Sequence, residues 1–134
     1  MAVQACLNGA RTRADHPAVP ESPAEIAAAA VAVRRAGAFA VHVHPRDRDG
    51  RQTLAASACD AAVAAIRAAA PRMPVGLSTA QDIDPDPFAR EAAVRAWRRH
   101  KPDFVSVNVS ELGWAGIMRT ALRSDTFTDT KSGL

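Results

Sequence analysis

Tyrosine is missing from this sequence, and its two Trp and four Phe make up only 4% of 134 residues. Rings therefore do not carry the core. With Ala near a quarter of the chain, packing has to rest on the close approach of Ala-rich helices to a sheet. Cysteine is scarce as well: Cys6 and Cys59 stand far apart without C-x-x-C spacing, which gives no disulfide framework. Neither has a His or other base at a spacing that marks a nucleophile, so both are expected as small buried hydrophobes. Long apolar runs are absent; the longest, Ile26 to Val33, is far short of the roughly 20 residues that span a bilayer. No leader of basic residues and an apolar stretch is seen, so a cytoplasmic protein with reduced thiols is the expectation. The 17 Lys+Arg against 14 Asp+Glu give a net charge of +3, with arginines scattered rather than gathered into a tract, which argues against a nucleic-acid partner. There is no GxxxxGK[ST] or GxGxxG, so phosphate-loop functions drop out.

What is present is ordinary globular composition, 48% apolar and 23% charged, in a length that suits one domain. Apolar runs at Val3 to Leu7, Phe39 to His44, Val75 to Ser78 and Phe104 to Val109 predict four short strands, each buried on both faces. Between them lie helical segments. Ser22, Pro23 and Glu25 form a capping box that starts a helix running to about Arg35, with Gly37 as its left-handed stop. A second helix covers about Ser57 to Ala70 and ends at Pro71. Asp86-Pro87 starts a third, to about Arg99, with Phe88, Val94 and Trp97 as its large apolar positions, and Ser110 starts a fourth, to about Leu122. Residues 1–122 thus read as about four βα units, and residues 123–134 as a polar, frayed tail. The strands are spaced for parallel pairing through helical crossovers. Two α/β closures fit: a doubly wound open sheet, or the first half of a (β/α)8 barrel, which as a whole takes about 250 residues.

The sharpest chemical feature is His42-Val43-His44 at the end of the second strand, because positions i and i+2 of a strand share a face. Two imidazoles then converge where parallel α/β folds hold ligands, and a catalytic zinc commonly takes three protein ligands plus an open position. The alternative is one His packed locally and one facing solvent. Arg46 and Asp47 follow at once and are candidates to orient the loop or the imidazole N–H groups; a solvated ion pair is the other reading. Ser78-Thr79 ends the third strand, and Ser106 and Asn108 share a face of the fourth, with Ser110 and Glu111 just beyond. Such hydroxyl and amide groups can hydrogen-bond a carboxylate or carbonyl of a small substrate, or serve only turns and helix caps. Asn8-Gly9 has the same two readings.

These residues resemble the β-keto acid cleavage enzymes, typified by the 3-keto-5-aminohexanoate cleavage enzyme of lysine fermentation. The matching segments are Ala5-Cys6-Leu7-Asn8-Gly9-Ala10, the Pro20 to Glu25 helix start, Ala36-Gly37-Ala38 leading into Val41-His42-Val43-His44-Pro45-Arg46-Asp47, Asp49-Gly50-Arg51, Val75-Gly76-Leu77-Ser78-Thr79, and Pro102-Asp103-Phe104 with Ser106-Val107-Asn108. The resemblance covers about Ala2 to Glu111 and implies the first half of a (β/α)8 barrel. It implies Zn2+ held by His42 and His44 together with a carboxylate from the far half of the barrel. It further implies exchange of acyl groups between a β-keto acid and acetyl-CoA, giving acetoacetate and a CoA thioester, with Ser78 and Ser106 as substrate contacts. Asn8 and Arg11 join them as substrate-binding candidates, and Arg46 and Asp47 as supports of the metal ligands.

Two departures matter. The family's R-x-G-x-E-D-N motif, source of the third ligand and of an acid/base carboxylate, has no counterpart in these 134 residues, so no catalytic acid or base is assigned and the zinc site is expected to be incomplete. Glu111 or a residue of another chain is the candidate to complete it. Arg11 stands where the lysine-fermentation enzyme has an acidic substrate contact, so a neutral or anionic β-keto acid is expected rather than a cationic one. Two further readings remain: a different HxH metal-dependent barrel, such as an amidohydrolase-type hydrolase, and a non-catalytic half-barrel that pairs with another copy or another chain to cover its edges.

Overall fold

The computed structural model describes residues 1–123 and 126–131, the last five by their backbone. Strands β1 (Gln4–Cys6), β2 (Ala40–Val43), β3 (Val75–Ser78), β4 (Phe104–Asn108) and β5 (Phe127–Lys131) alternate with helices α1 (Pro23–Arg35), α2 (Ala56–Ala69), α3 (Pro87–Ala96) and α4 (Trp114–Arg123). All neighbouring strands pair in parallel, in the order β1-β2-β3-β4-β5. A doubly wound sheet needs a reversal of strand order, and there is none among the described strands. A strictly sequential parallel order is how a (β/α) barrel winds, so the chain is an α/β fold of parallel β/α repeats, an open half of the barrel type.

The fifth strand corrects the expected tail. Residues 127–131 extend the sheet in register with β4, from Phe104 opposite Phe127 to Asn108 opposite Lys131. The alternation of Thr and Asp with other residues hid a strand whose order comes from the neighbouring ladder rather than from its own hydrophobicity. Residues 124, 125 and 132–134 of the expected tail lie outside the described residues.

The faces of the sheet separate cleanly. Val41, Val43, Val75, Leu77, Val105 and Val107 are buried in the core with Ile26, Ala30, Val63, Ile66, Val94 and Ile117 from the helices. The alternate positions, His42, Gly76 and Phe104 in one register row and Ser78 with Ser106 in the next, fall on the other face. Burial on both faces holds for β2 and β3, whereas β1 is an edge with Gln4 and Cys6 exposed.

Helix α1 forms as its sequence predicts: Ser22 accepts from the Glu25 amide, Glu25 accepts from the Ser22 amide, and Gly37 follows at φ 98°. Helix α3 departs in two ways. It ends at Ala96 rather than Arg99, because Trp97 leaves the helix to bury its ring, with Nε1 donating to Leu54 O at 3.0 Å. Its large buried positions are Arg90 and Val94, while Phe88, one of its expected large apolar positions, is exposed. Arg90 can occupy that place because its guanidinium donates to Asp84 O at 2.8 Å and to Leu112 O. Helix α4 starts at Trp114, not Ser110. Ser110 instead turns back on Asn108, donating to Oδ1 from its hydroxyl at 2.7 Å and from its amide at 3.1 Å. Gly113, at φ 83°, then packs against Pro87 so closely that any Cβ would lie 2.3 Å from the proline ring.

Candidate metal centre at the strand ends

His42 belongs to β2 and His44 follows it, and their rings converge with Nε2 atoms 3.2 Å apart and centroids at 5.1 Å. His42 is 1% exposed and His44 half-buried. Two imidazole nitrogens aimed at one point are the donor chemistry of a divalent metal, so this pair fits two positions of a zinc-type site. Among the described residues no third His, Cys, Asp or Glu completes a cluster with them.

Each ring is held from its other nitrogen. Ser106, on the same face of β4, places Oγ 3.2 Å from His42 Nδ1. Its backbone is anchored by Thr79, whose hydroxyl donates to Ser106 O at 2.6 Å. Ser78 is buried opposite Ser106 in register, and its Oγ accepts from the Ala80 amide at 3.3 Å. On His44, Nδ1 lies 2.5 Å from Gln52 Oε1. Gln52 is absent from the expected site residues. The signal for it is Asp49-Gly50, the turn that returns the chain so that Gln52 bridges Arg46 in an antiparallel step.

The other expected residues serve the site at one remove. Asn8 is buried and its amide is spent on backbone: Nδ2 donates to Pro20 O at 3.1 Å and His44 O at 2.9 Å, and Oδ1 accepts from His44 N at 3.0 Å. It clamps the backbone of His44. Arg46 is likewise buried; Nη2 donates to Gly9 O at 2.5 Å and Arg11 O at 2.9 Å, and Nε has no partner among the described residues. Burial pushes its pKa down, with Glu21 opposing. Arg11 therefore meets the site through its carbonyl, and its side chain is exposed. Asp47 does not touch either imidazole: Oδ1 accepts from the amides of Asp49 and Arg51, each at 2.9 Å. That shapes the hairpin which delivers Gln52. Glu111 accepts from the Gln81 amide at 3.0 Å and from Asn108 Nδ2 at 3.4 Å, tying the loops after β3 and β4 rather than joining the histidines.

The two cysteines differ. Cys59 is buried, as expected, with its thiol pushed up to about 12 by burial and by Asp60, whereas Cys6 is exposed on edge strand β1.

A model of the beta-keto acid cleavage enzyme family matches residues 1–133. Among solved structures the chain is similar to a rubisco-like protein from Burkholderia fungorum, at 16% identity and a TM-score of 0.62 over 97% of this chain and 30% of that one. It is also similar to an isomerase from Streptomyces coelicolor A3(2), at 18% identity and 0.55 over 99% of this chain and 34% of that one. At such identities the likeness is one of fold. The chain spans about a third of the length of either structure.

Proposed function

The chain belongs to the β-keto acid cleavage enzyme family, and from that premise we propose that His42 and His44 hold a divalent metal, zinc by preference, at which a small β-keto acid is bound. The observation that carries the reading is the convergence of the two Nε2 atoms at 3.2 Å. A divalent ion there supplies the positive charge that polarises the two carbonyl groups of a β-keto acid. The residues of this chain do the holding. Ser106 orients His42, Gln52 orients His44, and Asn8 fixes the backbone between β2 and its loop. Ser78 lies one strand from Ser106 at the same level, a hydroxyl for the substrate's carboxylate or ketone.

The overall reaction is the family's acyl exchange, in which the β-keto acid and acetyl-CoA give acetoacetate and a CoA thioester of the remainder. Arg11, exposed in the loop that Arg46 ties to the end of β2, favours a neutral or anionic substrate side chain. No acid or base is assigned among the described residues, and a third metal ligand is left to residues beyond those that converge here. The hydrolase reading of the HxH pair gives way to the family match. A self-associating half-barrel without catalysis is the second reading, favoured by the two sheet edges, β1 and β5.

The test is zinc binding by the full chain, followed by competition with a chromophoric chelator. One equivalent is expected to bind, and His42→Ala or His44→Ala to weaken it by at least tenfold to a hundredfold, the range seen when only a supporting group is lost. Equal uptake by the double variant would overturn the assignment.

A further inference from the structure

The chain holds two asparagines, and only Asn8 precedes a glycine. An Asn-Gly pair is the sequence most prone to spontaneous deamidation, because the residue after the asparagine has no side chain to shield its amide. The two reacting groups are differently placed in the fold. Gly9 sits at φ 59°, a Cβ on it would meet nothing within 4 Å, and among the described residues nothing accepts from its amide. The attacking nitrogen is thus unencumbered. The carbon that it attacks is not: Asn8 is 6% exposed, and its side chain is bonded to segments 12 and 36 residues away, donating to Pro20 O and His44 O and accepting from His44 N. Arg46 restrains the same loop by donating to Gly9 O and Arg11 O.

We propose that Asn8-Gly9 is a modification site, a spontaneous deamidation that the Asn8 clamp and the Arg46 tie hold back and whose product cannot close the clamp again. In the reaction the Gly9 nitrogen bonds to Asn8 Cγ, the Cγ–Nδ2 bond breaks, and the side-chain nitrogen leaves as ammonia with the Gly9 hydrogen. Water then opens the five-membered imide at one of its two carbonyls, which leaves aspartate or isoaspartate at position 8. Ring closure needs Cγ to turn toward Gly9, so the bonds to Pro20 and His44 are given up first and only a locally open chain reacts. The product differs in kind. A carboxyl group has at most one hydrogen to give where the amide gives two, so at least one of the bonds to Pro20 O and His44 O is lost. Isoaspartate also routes the main chain through Cβ, which lengthens the link between β1 and its loop by an atom. The event is irreversible, and it loosens the backbone that carries His44 whether or not a metal is bound there.

The test follows the full chain by mass spectrometry during incubation at mildly alkaline pH, in buffer and in denaturing guanidinium chloride, with peptide mapping to place the change. In denaturant, Asn8 is expected to convert to aspartate and isoaspartate while Asn108, followed by a valine, stays intact. In buffer the same conversion is expected to run about tenfold to a hundredfold slower, since each hydrogen bond is modest but three are broken together. Arg46→Met, which frees the loop without touching Asn8, is expected to react faster than the parent in buffer; if it does not fold, the parent in denaturant below its transition takes its place. Asn8→Asp, the product made directly, is expected to unfold at a lower urea concentration than the parent. Conversion in buffer as fast as in denaturant would overturn the gate, and an Asn8 that survives denaturant would overturn the site. An unchanged rate in folded Arg46→Met would remove Arg46 from the gate. An Asn8→Asp chain as resistant to urea as the parent would overturn the loss of the clamp.

Discussion

Gly76 stands between His42 and Phe104 in the sheet register, and the Phe104 ring lies where a side chain at position 76 would begin. A Cβ there would come within 2.1 Å of the ring. Gly76→Ala is therefore expected to displace Phe104 and to cost about 1–3 kcal/mol, the usual range for overpacking. Phe104→Ala in the same chain should relieve most of that added cost. A double-mutant cycle by urea denaturation checks it, since strict additivity would mean that the ring yields freely. At this scale the sequence was informative where chemistry follows from strand period. His42 and His44 share a face because they are two apart, and Ser78 and Ser106 fall beside them because the register sets these two residues opposite each other on the same face. Asn8 and Asp47 were visible as polar residues near the site, but not that their side chains are consumed by backbone groups. Gln52 was hidden, because its place depends on how a hairpin closes and not on any period.

Among the elements, helix starts were legible and helix ends less so. The capping box of α1 shows why: its signal is local, three residues whose bonds are made within one turn. Glu25 is held down at about 2, first by the Ser22 amide, then by the Glu21 amide and by Arg13. A carboxyl lowered on folding stabilises the native state above its ordinary pKa, and that contribution is lost as pH falls from its ordinary value of 4.5 toward about 2. The native chain is thus expected to lose denaturant resistance across that window, and Glu25→Gln to show a shallower loss there. The check is the urea midpoint followed against pH; identical slopes for the two proteins would rule out the contribution. The ends of α3 and the start of α4 answer to distant partners instead. Leu54 takes the Trp97 indole, Pro87 fits against Gly113, and a buried arginine holds Asp84 and Leu112. None of these contacts is written in the local pattern.

At the scale of the whole molecule, the alternation of strands and helices was readable, but it left the closure open between two folds. The strand order decides it, and strand order is a matter of which faces and edges meet. The edges themselves have an expected consequence. β1 and β5 each pair on one side only within this sheet, and β1 is exposed; unpaired backbone groups of this kind recruit another strand. Self-association that rises with concentration is expected in sedimentation velocity. A single monomeric species across the micromolar range would contradict it.

The sequential order of the sheet also bears on how the chain is made. Each of β2 to β5 pairs with the strand synthesised just before it, so only β1 has to wait for a later segment to find its neighbour. Each pairing still closes over a whole helical crossover, as from Gln4 to Ala40, and parallel pairing of this kind is a long-range and slow step of folding. The growing polypeptide can lay down β1, cover it and add β2 while the rest is still within the ribosome. His42 and His44 would meet each other early, and Ser106 would reach them only after two more βα units had emerged.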